Sequence, residues 1–213
     1  MSQPLPYPKL RLLLFDLDGT LQDTYAIHYQ AFRATFAHYG RILTEEQYQA
    51  AYAPNWFLTY QMLDFPQELW AEADALWLEE AAKHCPQPFP GVPETLASLK
   101  KRFPLGLVTA GQRNRVTQEI SQNGLRDFFQ VIVTGDDVDH PKPAPDAVRM
   151  ALEALGIPPA ESVYIGDTDL DYQTALNSGA GFIGIHSQFN SLSADLPCLI
   201  LPDITHLLGL LAE

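Results

Sequence analysis

The chain has 213 residues, 46% hydrophobic and 18% charged, enough for one sizeable core with an inserted subdomain and too apolar for intrinsic disorder. Its formal net charge of -13 argues against a nucleic-acid or anionic-membrane surface, although a metal ion and one Lys inside a pocket can invert the local field. The N-terminal MSQPLPYPKLRLLLFDL contains no signal-peptide h-region and no span of about 18 apolar residues, and Cys85 and Cys198 lack metal-ligand spacing, so the expectation is a soluble cytoplasmic protein with reduced thiols.

The first predicted element is a buried strand within Leu12 to Leu21, LLLFDLDGTL, closed by Asp16, Asp18 and a turn at Gly19. Side chains two apart in an extended stretch point the same way, so Asp16 and Asp18 can converge. Either they are turn and capping aspartates, or a hard divalent cation between them relieves their repulsion and leaves one carboxylate free to attack an electrophile. Active sites of open α/β sheets lie beyond the carboxyl ends of such strands.

From Gln22 to Pro88 the spacing turns helical throughout and no strand-like run appears, as expected of an inserted helical cap subdomain. Tyr25 to Tyr39 and Pro66 to Lys83 are its clearest helices. This insert carries all three Trp residues and ten Phe or Tyr, most expected as its own core. Trp56 or Tyr60, near the break at Pro54, are the aromatics to consider for the cleft. Nine acids against three bases, Arg33, Arg41 and Lys83, suit it poorly to grip a second phosphate.

Downstream, short apolar runs at Leu105 to Thr109, Val131 to Thr134, Ser162 to Ile165 and Phe182 to Ile185 alternate with helical stretches at Pro93 to Arg102, Arg113 to Asn123, Pro145 to Leu155 and Asp169 to Ser178. That alternation predicts an α/β fold with a doubly wound parallel sheet. Leu199 to Leu201 and a tail helix from Asp203 complete it. The expected core is residues 1–21 and 89–213, with residues 22–88 as the cap.

Three further segments bear on Asp16. GLVTAGQ sets Thr109, Ala110 and Gly111 where a hydroxyl and backbone amides can cradle an anion, or where Thr109 simply caps a helix. DHPKPAPD holds Lys142 between Pro141 and Pro143, which suits a fixed anionic target. VYIGDTDLD ends a strand with Gly166 and Asp167, placing Asp167 to complete a metal site with Asp16, while Asp171 orients the shell around it and Asp169 is a helix-start acid.

The segments FDLDGTL, VTAG, HPKPAPD and GDTDLD, in this order, resemble those of the haloacid dehalogenase superfamily, and the helical insert resembles the cap of its phosphoglycolate-phosphatase-like and β-phosphoglucomutase-like members. The resemblance implies a Rossmann-like core and a magnesium-dependent phosphohydrolase acting on a small phosphorylated metabolite of the phosphoglycolate, sugar phosphate or nucleotide class. It implies Asp16 as nucleophile forming an aspartyl-phosphate and Asp18 as general acid and base. Mg2+ would be held by the Asp16 and Asp167 carboxylates and the Asp18 carbonyl, and Thr109 and Lys142 would contact phosphate. His28 corresponds to a histidine that helps gate the general acid in β-phosphoglucomutases, or is a hinge or packing residue. A phosphomutase, or a non-catalytic binder of phosphorylated ligands, is the alternative. Gln22 and Pro141 depart from the family pattern, and neither is expected to touch the chemistry. Ala110 and Gly111 stand where Asn and Lys are frequent, leaving only backbone contacts there.

Overall fold

The computed structural model describes residues 9–53, 56–187, 192–193 and 195–212. Strand β1 (Leu12–Phe15) is followed by a two-residue strand β2 (Gln22–Asp23) and then by the helices of the insert: α1 (Tyr25–His38), α2 (Glu45–Ala51), α3 (Trp56–Met62) and α4 (Trp70–Ala81). After β3 (Gln87–Pro88) the chain alternates as α5 (Val92–Leu99), β4 (Leu105–Val108), α6 (Arg113–Gln122), β5 (Val131–Val133), α7 (Asp146–Leu155), β6 (Ser162–Gly166), α8 (Asp169–Ser178) and β7 (Gly181–Ile185). It closes with β8 (Leu199–Leu201) and α9 (His206–Leu210).

Six strands form one parallel sheet in the order β5-β4-β1-β6-β7-β8. The two faces of β1 show why its sequence is an unbroken apolar run. Leu13 and Phe15 pack with Val92, Leu96, Val116 and Ile120 on one side. Leu12 and Leu14 pack with Val148, Ala151 and Tyr164 on the other. A parallel strand covered by helices on both faces has no polar side to alternate with. The chain leaves β1 toward β4 and leaves β6 toward β7, so the winding reverses between these two neighbours, where open α/β sheets form their ligand crevice.

The insert has a core of its own, with Phe32, Phe36, Tyr48, Tyr60, Phe65 and Trp77 at its centre. The Phe32 ring lies 5.4 Å from Tyr48, 5.3 Å from Tyr60 and 5.7 Å from Trp77, within the range of favourable tilted and edge contacts. Its helical reading needs two corrections. Gln22–Asp23 and Gln87–Pro88 pair antiparallel where the chain enters and leaves, a ribbon too short to show periodicity. The stretch expected as one helix from Pro66 is a 3₁₀ turn at Gln67–Leu69 followed by α4, with the Trp70 indole donating back to the Phe65 carbonyl at 2.9 Å.

Candidate active site

Asp16 follows the last residue of β1, and its amide donates to the Ile165 carbonyl of β6 at 2.8 Å, so its backbone is held at the reversal point. Gly19 then takes φ +81°, a left-handed conformation that favours glycine, and the chain turns so that the Gln22 amide returns to the Leu17 carbonyl. The adjacent strand β6 ends at Gly166 and delivers Asp167. Thr168 caps α8: its hydroxyl accepts from the Asp171 amide, while the Asp171 carboxylate accepts from the Thr168 amide and hydroxyl.

These elements bring Asp16, Asp167 and Asp171 together, each buried and each offering an oxygen within 4.8 Å of the others. Lys142 donates to Asp16 Oδ1 at 2.7 Å and to Asp171 Oδ1 at 2.6 Å. Tyr164 adds a hydroxyl donated to the Val108 carbonyl at 2.8 Å and lies 3.1 Å from Asp171 Oδ1. Thr20 donates to Asp167 Oδ1 at 2.8 Å. Asp171, expected to orient the shell, lies in the same carboxylate group, with its oxygens engaged by Lys142, Tyr164 and Thr168. The oxygen-only donor set suits a hard cation such as magnesium.

Burial pushes the Asp16 carboxyl up, to about 7, with Asp171 and Asp18 adding to the rise and Lys142 opposing it. Burial by itself would lower the Lys142 ammonium, but the two carboxylates outweigh it and hold that group above its ordinary range.

Asp18 lies outside this three-carboxylate group, yet it lines the same cleft as Asp16 and its charge adds to the rise of the Asp16 carboxyl. Its carboxylate is gripped through both oxygens by Arg115 of α6, at 2.6 and 3.1 Å, and Arg115 also donates to Glu119 at 3.0 Å. Burial would raise the Asp18 carboxyl, yet the Arg115 charge, with His28 and Gln22 behind it, holds it well below the usual carboxylate range. Gln22 donates to Glu119 at 2.6 Å and to Asp18 at 3.4 Å, which corrects the expectation that it lies clear of the chemistry. The length of the Gln side chain lets it bridge the two acids from the cap entrance.

Sequence reasoning missed Arg115, Glu119 and Tyr164. The i,i+4 spacing of Arg115 and Glu119 signals a helix-surface pair. A Cβ on Gly111 would sit 2.3 Å from an Arg115 nitrogen, so the small residue in VTAG is what lets the guanidinium lie there.

A cleft between the insert and the sheet is lined by Asp16, Asp18, Thr109, Ala110, Gly111 and Arg115 on one side. His28, Tyr48, Tyr52, Trp56, Asp74 and Trp77 line the other. Trp56 therefore faces the cleft, whereas Tyr60 is wholly buried in the cap; Pro54 lies outside the described residues. The Thr109 hydroxyl accepts from the Gly111 amide at 3.1 Å, so that amide is already engaged. His28 is buried with its ring 5.0 Å from Trp77, and burial lowers its pKa to about 4 against the pull of Asp18, leaving it neutral at pH 7.

A sequence model of the haloacid dehalogenase-like hydrolases matches residues 13–185. Pyrophosphatase PpaX of Bacillus velezensis is 33% identical over 183 residues, covering 83% of each chain. Fructose-1-phosphate phosphatase YqaB of Escherichia coli is 29% identical over 84% of this chain and 98% of its own. The crystal structure of CbbY from Rhodobacter sphaeroides in complex with phosphate shares the fold, with a TM-score of 0.81 at 24% identity over 93% of this chain and 96% of its own.

Proposed function

The chain belongs to the haloacid dehalogenase-like hydrolases, and on that premise we propose that it is a magnesium-dependent phosphohydrolase of small phosphorylated metabolites. The observation that carries this reading is the buried Lys142 bonded to Asp16 beside Asp167 and Asp171 at the reversal of the sheet. Such a site pairs a nucleophilic carboxylate with fixed positive charge for a phosphoryl group.

In this reading an Asp16 carboxylate oxygen forms a bond to phosphorus as the ester oxygen leaves, and Asp18 gives that oxygen a proton. Asp18 then takes a proton from the water that attacks the aspartyl-phosphate, so phosphate departs and both carboxyl groups regain their starting states. In the arrangement described Asp18 is ionised and bound by Arg115, so the cycle starts only once that pair parts and Asp18 takes up a proton from solvent, the protonated state to which it returns. Lys142 and the Thr109 hydroxyl orient the phosphoryl oxygens. The Asp16 and Asp167 carboxylates and the Asp18 backbone carbonyl, with Asp171 in the same carboxylate group, would hold Mg2+, which would supply charge stabilisation for those oxygens.

The cleft supports hydrolysis over phosphoryl shuttling between two phosphate positions. Arg33 lies over Tyr29, Arg41 bonds the Leu63 and Asp64 carbonyls, and Lys83 pairs with Glu80 at 2.6 Å, so none of the insert's three bases lines the cleft. A cytoplasmic location fits the proposed substrates, and among the described residues no helix is long and apolar enough to cross a membrane.

The test is phosphate release from sugar phosphates, phosphoglycolate, nucleotides and pyrophosphate, with magnesium and with chelator, against Asp16→Asn. Turnover that needs magnesium and disappears in Asp16→Asn is the expected result. Turnover that persists in Asp16→Asn, or none from any compound, overturns the proposal.

A further inference from the structure

The proposed reaction uses the sheet side of the cleft and leaves its cap side without a role, yet that side is chemically distinctive. Trp77 is 8% exposed and Tyr48 0%, both line the cleft, and neither the Trp77 Nε1–H nor the Tyr48 hydroxyl has a hydrogen-bond partner among the described residues. An indole N–H is a donor only, whereas a phenol both donates and accepts. Leaving such groups buried and unpaired is destabilising, and a ligand carrying hydroxyls would pair both.

An acceptor completes the set. Asp74, half-buried on α4, takes one hydrogen bond from the Gln112 amide of the sheet side at 2.7 Å, and an ionised carboxylate has lone pairs for more. Trp56 supplies a flat aromatic ring to the same cleft.

The charge of this region is equally informative. Arg115 is the only Lys or Arg among the lining residues, and it is already bound to Asp18 at 2.6 Å and Glu119 at 3.0 Å. A second anionic group on a substrate would meet Asp74 and find no uncommitted cation among the described residues that line the cleft. A neutral tail bearing hydroxyls would meet a donor and a hydroxyl that have no partner among the described residues, and a carboxylate acceptor.

We infer that the cleft selects phosphate monoesters with an uncharged, hydroxyl-bearing tail, the chemistry of a sugar or polyol phosphate, and that Trp77, Tyr48 and Asp74 are the residues that read it. This inference rests on the phosphohydrolase reading and narrows it. The repulsive element is as important as the attractive ones, because discrimination is a difference between two affinities. A buried polar group left unpaired by the wrong substrate supplies much of that difference.

The experiment compares kcat/KM of the full chain, with magnesium, for hexose, pentose and glycerol phosphates, phosphoglycolate, pyrophosphate, phosphocholine and p-nitrophenyl phosphate. Sugar or polyol phosphates are expected to exceed phosphoglycolate and pyrophosphate by at least about tenfold. Trp77→Phe and Tyr48→Phe should each raise KM for the preferred sugar phosphate by about tenfold with kcat little changed, the mark of lost ground-state binding. Asp74→Asn, at a half-buried site that tolerates an isosteric change, should narrow the preference for neutral over anionic tails even where Trp77→Phe fails to fold. Preference for pyrophosphate, phosphoglycolate or phosphocholine overturns the inference, as does an equal loss across all substrates in the variants. If nothing is hydrolysed, p-nitrophenyl phosphate included, the phosphohydrolase reading falls and takes this inference with it.

Discussion

The sheet side and the cap side of the cleft solve burial differently. Beneath the sheet's carboxyl ends, buried charges are matched one against another: Lys142 holds Asp16 and Asp171, Thr20 serves Asp167, and Arg115 binds Asp18 and Glu119. In the cap, aromatic rings pack without such pairing, and the Tyr48 and Tyr60 hydroxyls and the Trp77 indole lack partners among the described residues. Charges in a low dielectric are costly unless paired in fixed geometry, so the sheet side is committed to one arrangement. Aromatic packing tolerates changes of ring tilt and substituent more readily, so the cap is where selectivity can vary while the chemistry stays in place.

The largest effect that sharpens this contrast is on turnover. Asp16→Asn should lower kcat by at least about 10⁴-fold, as removal of a nucleophile does elsewhere, and single-turnover phosphate release would show it. Lys142→Met would leave Asp16 and Asp171 buried without their cation. It should cost about 3–5 kcal/mol of stability in denaturant titration as well as activity. Arg115→Met should cost slightly less, about 3 kcal/mol, because it strands Asp18 and Glu119 at a less enclosed edge. If either variant unfolds at the wild-type midpoint, charge pairing is not what holds the sheet side.

On the cap side the effects run from about the size of the Arg115 one downward. His28 has its pKa lowered from 6.5 to about 4 by burial, so the folded state binds its proton less readily than the unfolded chain. Its contribution is fully present above about pH 6.5 and declines as pH falls toward 4, by up to about 3 kcal/mol. The acid-induced fall in midpoint over that window should shrink in His28→Gln. Tyr48→Phe, which removes a hydroxyl without a partner, should alter stability by less than about 1 kcal/mol, in contrast to the charged variants. A loss of several kcal/mol there would erase the contrast between the two sides.

The layered fold and much of the sheet side can be read along the chain. Apolar runs read as β1, β4, β5, β6 and β7 because a strand covered on both faces is uniformly hydrophobic, and Leu199–Leu201 forms β8 as its composition suggested. Asp16, Asp167 and Lys142 stood out because each sits beside a backbone feature written locally: a Gly turn, a strand end or a pair of prolines. The two-residue ribbon β2–β3 left no such mark, and neither did Tyr164, whose polar end is hidden in an apolar strand. Only the tertiary structure decided that Asp18 turns to Arg115, 97 positions away, and that Gln22 spans Asp18 and Glu119. It also set Trp77 and Tyr48 along the cleft, where the Trp77 indole and the Tyr48 hydroxyl find no hydrogen-bond partner among the described residues. The physical reason is range. Periodicity and turn chemistry act over a few residues and so can be read along the chain, whereas the partner of a long side chain depends on which helix face packing brings opposite it.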